Sequence, residues 1–275
     1  MCERRGVGQL VDSRRITRLD VSGEGVRTER PDVLAVEEPL TLRVGGEVVT
    51  TTMRTPGQDI DLGLGWLVAE GCVRLPDDVV TAVACDTDTV DVTLAVGVTA
   101  PRKRLSLTSS ACGICGSDAI DEVLARLPAP AEAPPGVEAQ VLAGLPEALR
   151  CAQPAFGRSG GLHAAGLFTR DGQVVCVRED VGRHNAVDKV VGWALREGLL
   201  PARDHILQVS GRASFELTQK AAMAGVCALS AVSAPSTLAV DVARASGLVL
   251  AGFVRGTTMN LYAGAERVRL RSSNA

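Results

Sequence analysis

Two cysteines, Cys112 and Cys115, stand two residues apart in a stretch of small residues, 109–118. A thiol pair at this spacing can hold a metal, exchange with a disulfide, or carry sulfur. A helix-period run follows at once, with Ile120, Val123, Leu124 and Leu127. Ser117 suits an N-cap, and Asp118, Asp121 and Glu122 put negative charge in the first turn. The thiols are therefore expected at or just before a helix N-terminus. That position lowers a thiol pKa, and the thiolate is the nucleophile. The acidic first turn opposes the effect, so a strongly depressed pKa does not follow.

The three chemistries make different demands. A structural zinc site needs four ligands, usually from two such pairs. One pair is present, so closure would need distant cysteines or a second subunit. A zinc deaminase carries His-x-Glu and Pro-Cys-x-x-Cys; here Ala111 precedes Cys112, and Ala164-Ala165 follow His163. Dithiol exchange suits a small strand–pair–helix domain, which this chain does not resemble. In sulfur carriage one thiolate accepts a sulfur atom as a persulfide. The second then attacks, discharges sulfide and closes a disulfide, and a loop of Ser, Gly and Ala suits such delivery. Cys176 and Cys227 lie in apolar strand-like runs and read as inert core. Cys2, Cys72, Cys85 and Cys151 have no close cysteine or histidine partner in sequence.

Polar loops form the second constellation. Residues 178–185, Arg-Glu-Asp-Val-Gly-Arg-His-Asn, are the densest polar cluster. They read either as a salt-bridged turn with Asn185 as helix cap, or with Arg183 and His184 on a substrate phosphate or near the thiols. Ser210-Gly211-Arg212 before a helix combines backbone N–H groups with a guanidinium. The segment 233–237 leads into the next helix, and Phe253, Val254, Arg255, Gly256, Thr257 and Thr258 follow the last strand. His163 sits in an apolar run and reads as a core histidine. Arg102-Lys103-Arg104 reads as a solvated turn or as a basic rim near the thiols.

The elements that must position these residues divide into two rhythms. The first half alternates and looks antiparallel. Runs 40–44 and 47–50 flank Gly45-Gly46 as a hairpin. Asp59 is expected to cap a helix carrying Ile60, Leu64, Leu67 and Val68, ended by Gly71. Gly63-Leu64-Gly65 begins a dinucleotide-type pattern that Val68 does not complete. Alternation resumes over 79–108. Residues 128–135 are a Pro/Ala linker, followed by a helix with Val141, Leu142, Leu145 and Leu149, restarted at Pro146.

The second half opens with a hairpin around Asp171-Gly172. A helix capped by Asn185 and ended by Gly198 comes next. Then strand 205–209, helix 213–224, strand 226–232, helix 236–245 and strand 248–254 give β-α-β-α-β. That order implies a parallel sheet with right-handed crossovers and helices on its faces. Ligands of such sheets bind outside the strand C-terminal ends, where the three polar loops 210–212, 233–237 and 253–258 fall in register. The expected organisation is a flexible tail 1–30, a β-rich subdomain 31–108, the Cys-x-x-Cys loop and helix 109–127, a linker 128–137, an α/β domain 138–263 and a tail 264–275.

The 275 residues are 46% apolar, 22% charged and 3% aromatic, a soluble composition whose core is mainly Ala, Val and Leu. No run is long enough to span a bilayer and no apolar signal segment opens the chain, so a cytoplasmic location without membrane contact is expected. The net charge of −3 argues against nucleic acid as partner. Lysine stands only at 103, 189 and 220, so nearly all 29 basic residues are arginine, whose planar forks suit phosphate and guanine-type acceptors.

Four separate motifs resemble the FdhD family, accessory sulfurtransferases of formate dehydrogenase. They are Ser-Ala-Cys-Gly-Ile-Cys-Gly at 110–116, Arg-Glu-Asp-Val-Gly-Arg-His-Asn-Ala-Val-Asp-Lys at 178–189, Ser-Gly-Arg-Ala-Ser-Phe-Glu at 210–216 and Gly-Phe-Val-Arg at 252–255. Glu-Glu-Pro-Leu at 37–40 and Thr-Pro-Gly at 55–57 fit as well, and the match spans about residues 30–263. The resemblance implies a cytidine-deaminase-like α/β/α sandwich with an added antiparallel β-rich part, forming a homodimer. It implies sulfur accepted from a cysteine desulfurase and passed to the molybdenum or tungsten bis-guanine-dinucleotide cofactor as bound substrate, with formate dehydrogenase as client and no permanently bound metal. The persulfide maps to Cys112 with Cys115 assisting, and the cofactor-binding loop to residues 253–258. Contacts from Arg183, His184 and Arg212 come from loop position alone. A non-catalytic cofactor chaperone or insertase, and a zinc clamp across a dimer, are the alternatives.

Overall fold

The computed structural model describes residues 10–23, 25–101, 124–130 and 136–270. Strands β1 (Val11–Asp20) and β2 (Val26–Ala35) form a ten-pair antiparallel arm. This corrects the tail expected over 1–30 for all its described residues. The arm exposes most side chains on both faces. Its ladder is held by backbone bonds, which leave little apolar alternation to read. Only its base is buried, where Val11 meets Ala155 and Leu162.

Strands β3 (Glu38–Val44) and β4 (Glu47–Arg54) make the expected hairpin, with Gly45 and Gly46 at φ 58° and 83°. Such positive φ at both central residues suits a primed turn. Helix α1 (Asp59–Ala69) follows. Strands β5 (Val79–Asp86) and β6 (Thr89–Leu94) then complete a four-stranded sheet of order β4-β3-β6-β5. The β3–β6 pairing is parallel, so this half is not a pure antiparallel meander. Asp59 does not cap α1. Gln58 occupies the cap at φ 54°, because the Asp59 carboxylate is held by Arg54 through Nε at 3.0 Å and Nη2 at 2.9 Å.

Chain 136–270 begins with strand β7 (Val137–Glu138), helix α2 (Ala139–Cys151), unbroken at Pro146, and helix α3 (Pro154–Ser159). Strands β8 (His163–Thr169) and β9 (Val174–Asp180) form the second expected hairpin. Then come α4 (Arg183–Arg196), β10 (His205–Val209), α5 (Phe215–Ala224), β11 (Ala228–Ala231) and α6 (Thr237–Ala245). Strands β12 (Val249–Arg255), β13 (Thr258–Ala263) and β14 (Val268–Arg269) end the described chain. The six-stranded sheet runs β13-β12-β11-β10-β8-β9. Its centre, β10-β11-β12, is parallel, as the β-α-β-α-β order requires, and β8, β9 and β13 extend it antiparallel. The tail expected from 264 is corrected over 264–270, where β14 pairs parallel with β7.

Strand alternation sends side chains to two cores. Leu207, Leu229 and Leu250 face the helices α1, α4 and α5 through Leu67, Val190 and Leu217. Ile206, Ala228, Val249 and Phe168 face Leu142, Leu145 and Leu149 of α2. The result is the expected three-layer α/β/α arrangement. Leu40, Leu42, Val90 and Val92 of the smaller sheet join the first core, so the described part of the expected β-rich subdomain, residues 31–101, shares it and does not form a separate body.

The contact that joins them is the crossing of α1 and α4. A methyl on Gly65 would lie 1.9 Å from the Asp188 carbonyl oxygen, and one on Gly192 1.8 Å from that of Asp61. Only glycine lets two backbones approach so closely. Gly65 is thus a packing residue, a role that the incomplete dinucleotide pattern did not reveal. Among the described residues, no helix is long and apolar enough to cross a membrane.

Candidate functional site

Because β8 runs against β10, its first residue, His163, lies at the same sheet edge as the C-terminal ends of β10, β11 and β12. His163 pairs with Asp180 at the end of β9, which brings Val181 to His184 to that edge too. The polar loops therefore meet along four strand spacings, about 19 Å. They are tied together. Ala213 bridges Pro235, Phe253 N–H donates to Ser233 O at 3.2 Å, and Arg255 Nε donates to Val232 O at 3.3 Å. The in-register arrangement expected for 210–212, 233–237 and 253–258 is present.

Loop 253–258 begins in a bulge. Phe253 sits at φ 51°, a costly conformation for a bulky residue. Its neighbour Gly252 has little room for a side chain, since a methyl there would meet Tyr262 at 3.0 Å and Pro235 at 3.1 Å. The bulge turns the Phe253 ring outward, 38% exposed, with Arg255 beside it at 5.9 Å. Gly256, at φ 53°, lets the chain turn back, and Arg255, Thr257 and Thr258 are exposed. Val254 differs: its side chain is fully buried in the α2 core, leaving its backbone as the part available to a ligand.

The segment 178–189 divides into inward and outward residues. Arg178 reaches Asp61, and Glu179 accepts the N–H groups of Ala155 and Phe156 at 3.0 and 2.7 Å, capping α3. Asp180 is fully buried. It accepts Lys189 Nζ at 2.7 Å, Thr55 N–H at 3.1 Å and Gly182 N–H at 2.8 Å. Lys189 also donates to Thr55 O at 2.7 Å, and Asp188 pairs with Lys220 at 2.6 Å. Asn185 is not the cap of α4. Gly182 is, and the Asn185 amide donates to Met53 O at 2.7 Å and to Asp180 Oδ1 at 3.1 Å. Arg183 and His184 remain for the edge. Arg183 Nε is buried with no hydrogen-bond partner, as is Ser214 Oγ at the start of α5. His184 Nε2 lies 2.7 Å from Glu216 Oε2, and Arg212 is exposed. An exposed Arg212, an unpartnered Arg183 donor and the N-terminus of α5 fit an anionic ligand.

His163 corrects its reading as a core histidine. It is half-buried, with Nδ1 3.4 Å from Ser210 Oγ, which itself accepts Ala164 N–H at 2.9 Å. Burial pushes its pKa down, and Arg183 and His184 add to the effect. It lines a cleft of ≈ 470 Å³ that also takes in Pro146, Leu149, Arg150, Phe156, Leu162 and Val232. The sequence reading placed Pro146 and Leu149 only on a helix and named none of the α2 and α3 residues as part of a site. A helix of ordinary amphipathic pattern gives no sign that its last turn walls a cleft.

Cys112, Cys115 and Arg102-Lys103-Arg104 lie outside the described residues. Just beyond them, Leu124 and Leu127 pack on Phe215, Ala222 and Val242, so that segment ends against α5 and α6. Cys176 and Cys227 are buried, and burial pushes each thiol up to about 11, in keeping with inert core residues. Half-buried Cys72 is likewise pushed up to about 11.

The FdhD/NarQ family profile matches residues 35–269. A relative from Nocardia farcinica called "Sulfur carrier protein FdhD" is 54% identical, aligned over 95% of this chain and 96% of its own. Proteins of the same name from Streptomyces coelicolor and Mycobacterium tuberculosis are 49% and 48% identical, over 97% and 95% of this chain and 99% and 100% of theirs. The crystal structure of a candidate formate dehydrogenase accessory protein from Desulfotalea psychrophila superposes with TM-score 0.79. It covers 95% of this chain and 100% of that one at 21% identity, a likeness of fold. With two thick helical layers around this mixed sheet, a polar edge built from the matched motifs, and relatives aligned nearly end to end, the chain belongs to the FdhD/NarQ family.

Proposed function

We propose that this protein is a sulfurtransferase that carries sulfur as a persulfide on Cys112, for activation of a formate dehydrogenase. The observation that carries the reading is the near full-length identity to proteins called sulfur carriers, joined to a chain that keeps the Cys-x-x-Cys pair. In the loading step the Cys112 thiolate attacks the outer sulfur of a cysteine desulfurase persulfide. The donor's S–S bond breaks, its thiolate leaves, and Cys112–S–SH forms. In release, the Cys115 thiolate attacks the Cys112 sulfur. The sulfane sulfur leaves as HS⁻, reduced by two electrons, and the two cysteines are oxidised to a disulfide.

The acceptor in this reading is the molybdenum or tungsten bis-guanine-dinucleotide cofactor, bound as substrate along the sheet edge. Residues 253–258 hold one part of it, and Arg212, Arg183 and His184 meet its phosphates. The unpartnered Arg183 Nε and the guanidinium of Arg212 supply the charge-assisted donors that a diphosphate needs. A homodimer places two such edges in one particle, which suits a two-nucleotide ligand.

The test is mass spectrometry of the protein after incubation with a cysteine desulfurase and cysteine. One extra sulfur on the Cys112 peptide is expected; an unmodified peptide overturns the reading. Cys112→Ala should abolish formate dehydrogenase activation while cofactor binding persists. Unchanged activation would favour a non-catalytic chaperone. Stoichiometric zinc in the purified protein would favour a clamp and count against the carrier.

A further inference from the structure

The β1–β2 arm supplies no residue to the polar loops, yet it grows from their edge. Val11 at its root packs with Leu162, Phe156 and Val181, and those three also line the cleft beside the loops. From that root ten residues per strand reach about 33 Å outward. The two sides of the arm differ. Val36 N–H donates to Leu10 O at 3.0 Å, so the pair 10–36 is hydrogen-bonded. Bonded and non-bonded pairs alternate along an antiparallel ladder. Even-numbered residues of β1 therefore aim their backbone groups at β2, and Ser13, Arg15, Thr17 and Leu19 aim theirs outward. The same count turns the nitrogen of Pro31, the partner of Arg15, to the outer side of β2 and blunts it. The outer side of β1 has no proline and no bulge, and among the described residues no strand lies beside it. Such an edge is a template for another strand. Its side chains are not neutral. Half-buried Ile16 lies between Arg14 and Arg18 on one face, opposite Arg30. Asp12 holds Arg14, and Glu29 holds Arg15 at 3.1 Å, whereas Arg18, Arg27 and Arg30 make no ion pair among the described residues. Leu19, Val21 and Val26 at the tip are exposed.

We propose that the outer edge of β1 takes an extended acidic segment of a partner protein as a third strand, and so holds that partner beside the sheet edge. The binding itself is independent of the carrier reading; only the purpose of the visit rests on it. Main-chain bonds to Ser13, Arg15, Thr17 and Leu19 supply the hold, and cross-strand side-chain pairs supply the selectivity. On an added antiparallel strand the residue opposite Ile16 is apolar, the one opposite Arg18 acidic and the one opposite Leu19 apolar. A second acid falls opposite Arg15, on the side away from Glu29. A second copy of this chain fits less well. Pairing β1 with itself about Ile16 sets Arg14 against Arg18 and Asp12 against Asp20, and pairing about Arg15 sets that arginine against its own copy. Like charges directly opposite repel. Pairing about Thr17 leaves Arg18 facing Ile16, with no acid.

The experiment titrates the full chain into a fluorescein-labelled peptide, Thr-Val-Glu-Thr-Val-Glu-Thr, and follows anisotropy. The peptide binds, and its counterpart with lysine for glutamate does not. Arg18→Glu weakens binding roughly tenfold. Arg27→Glu, a change on the other face and the other strand, alters it by less than about twofold. Thr17→Pro removes an outward N–H without taking a bond from the β1–β2 ladder, and weakens binding by roughly tenfold or more. Thr17→Val keeps that N–H and binds like wild type, so the pair of variants separates strand addition from loss of the threonine side chain. The inference is overturned if the acidic peptide fails to bind, if the lysine peptide binds as tightly, or if Thr17→Pro leaves affinity unchanged. It is overturned too if Thr17→Pro converts a dimer to a monomer in sedimentation, which gives the edge to a second copy. An extra sulfur on Cys112 without peptide binding removes the docking strand and keeps the carrier. Peptide binding through Arg18 and Thr17 without that sulfur does the reverse.

Discussion

On the side of the six-stranded sheet covered by α1, α4 and α5, the buried carboxylates each meet a cation. Asp180 faces Lys189, Asp188 faces Lys220, and Asp61 takes both Arg196 and Arg178. On the side covered by α2, the buried polar atoms Gln208 Oε1 and Ser230 Oγ have no partner, and the chain leaves a cleft above them. The first side also costs energy to assemble. Burial pushes the Asp188 carboxyl up, against the pull of Lys220. Buried pairs add little net stability, but breaking one is expensive, so such pairs fix one geometry. The difference teaches that the first side sets the position of the edge loops, whereas the second leaves a cleft beside them.

The sharpest way to break this comparison is Lys189→Ala. It leaves Asp180 uncompensated in the core and should cost about 3–5 kcal/mol in urea unfolding; a loss below ~1 kcal/mol would mean that the pair fixes nothing. Next is Gly192→Ala, which must push α4 away from Asp61 and should cost about 1–3 kcal/mol. Gly161→Ala at the cleft, where the nearest side-chain atom is 3.7 Å away, should stay within about 0.5 kcal/mol of wild type.

Two serines sharpen the contrast further. Ser236 Oγ accepts Ala239 N–H at 3.2 Å and caps α6, so Ser236→Ala should lose about 1 kcal/mol. Ser230→Ala removes a buried hydroxyl without a partner and should be neutral or slightly stabilising in the same urea unfolding.

The smallest effect is on pH. Burial lowers the pKa of His163 at the edge and of His205 at the opposite one. Below about pH 6.5 the unfolded chain then binds more protons than the folded one. Stability is complete above that pH and falls as pH drops through the window. His163→Gln should flatten the slope of unfolding midpoint against pH. An unchanged slope would show that His163 is as well solvated as in the open chain.

Much of this was readable from neighbours in sequence. The Gly45-Gly46 hairpin, the helix stops at Gly71, Gly198 and Gly225, and the β-α-β-α-β order depend on backbone freedom and local period, which a few adjacent residues encode. The helix caps at Asp59 and Asn185 were misread because each side chain had a stronger partner out of view: Arg54 on the neighbouring strand for one, and Met53 and Asp180 for the other. The β1–β2 arm was missed because exposed strands need no apolar alternation.

The sequence alone determined the parallel core, the edge to which the polar loops go, and the identity of the thiol pair. Tertiary structure decided which residues of 178–189 are structural and which face the edge. Asp180 finds Thr55 across 125 positions, and Lys189 finds it across 134. It also decided that α2, α3 and the ends of β8, β10 and β11 enclose a cleft. Those walls come from segments that meet only when the chain has folded, and no local pattern carries information about a surface shared between them.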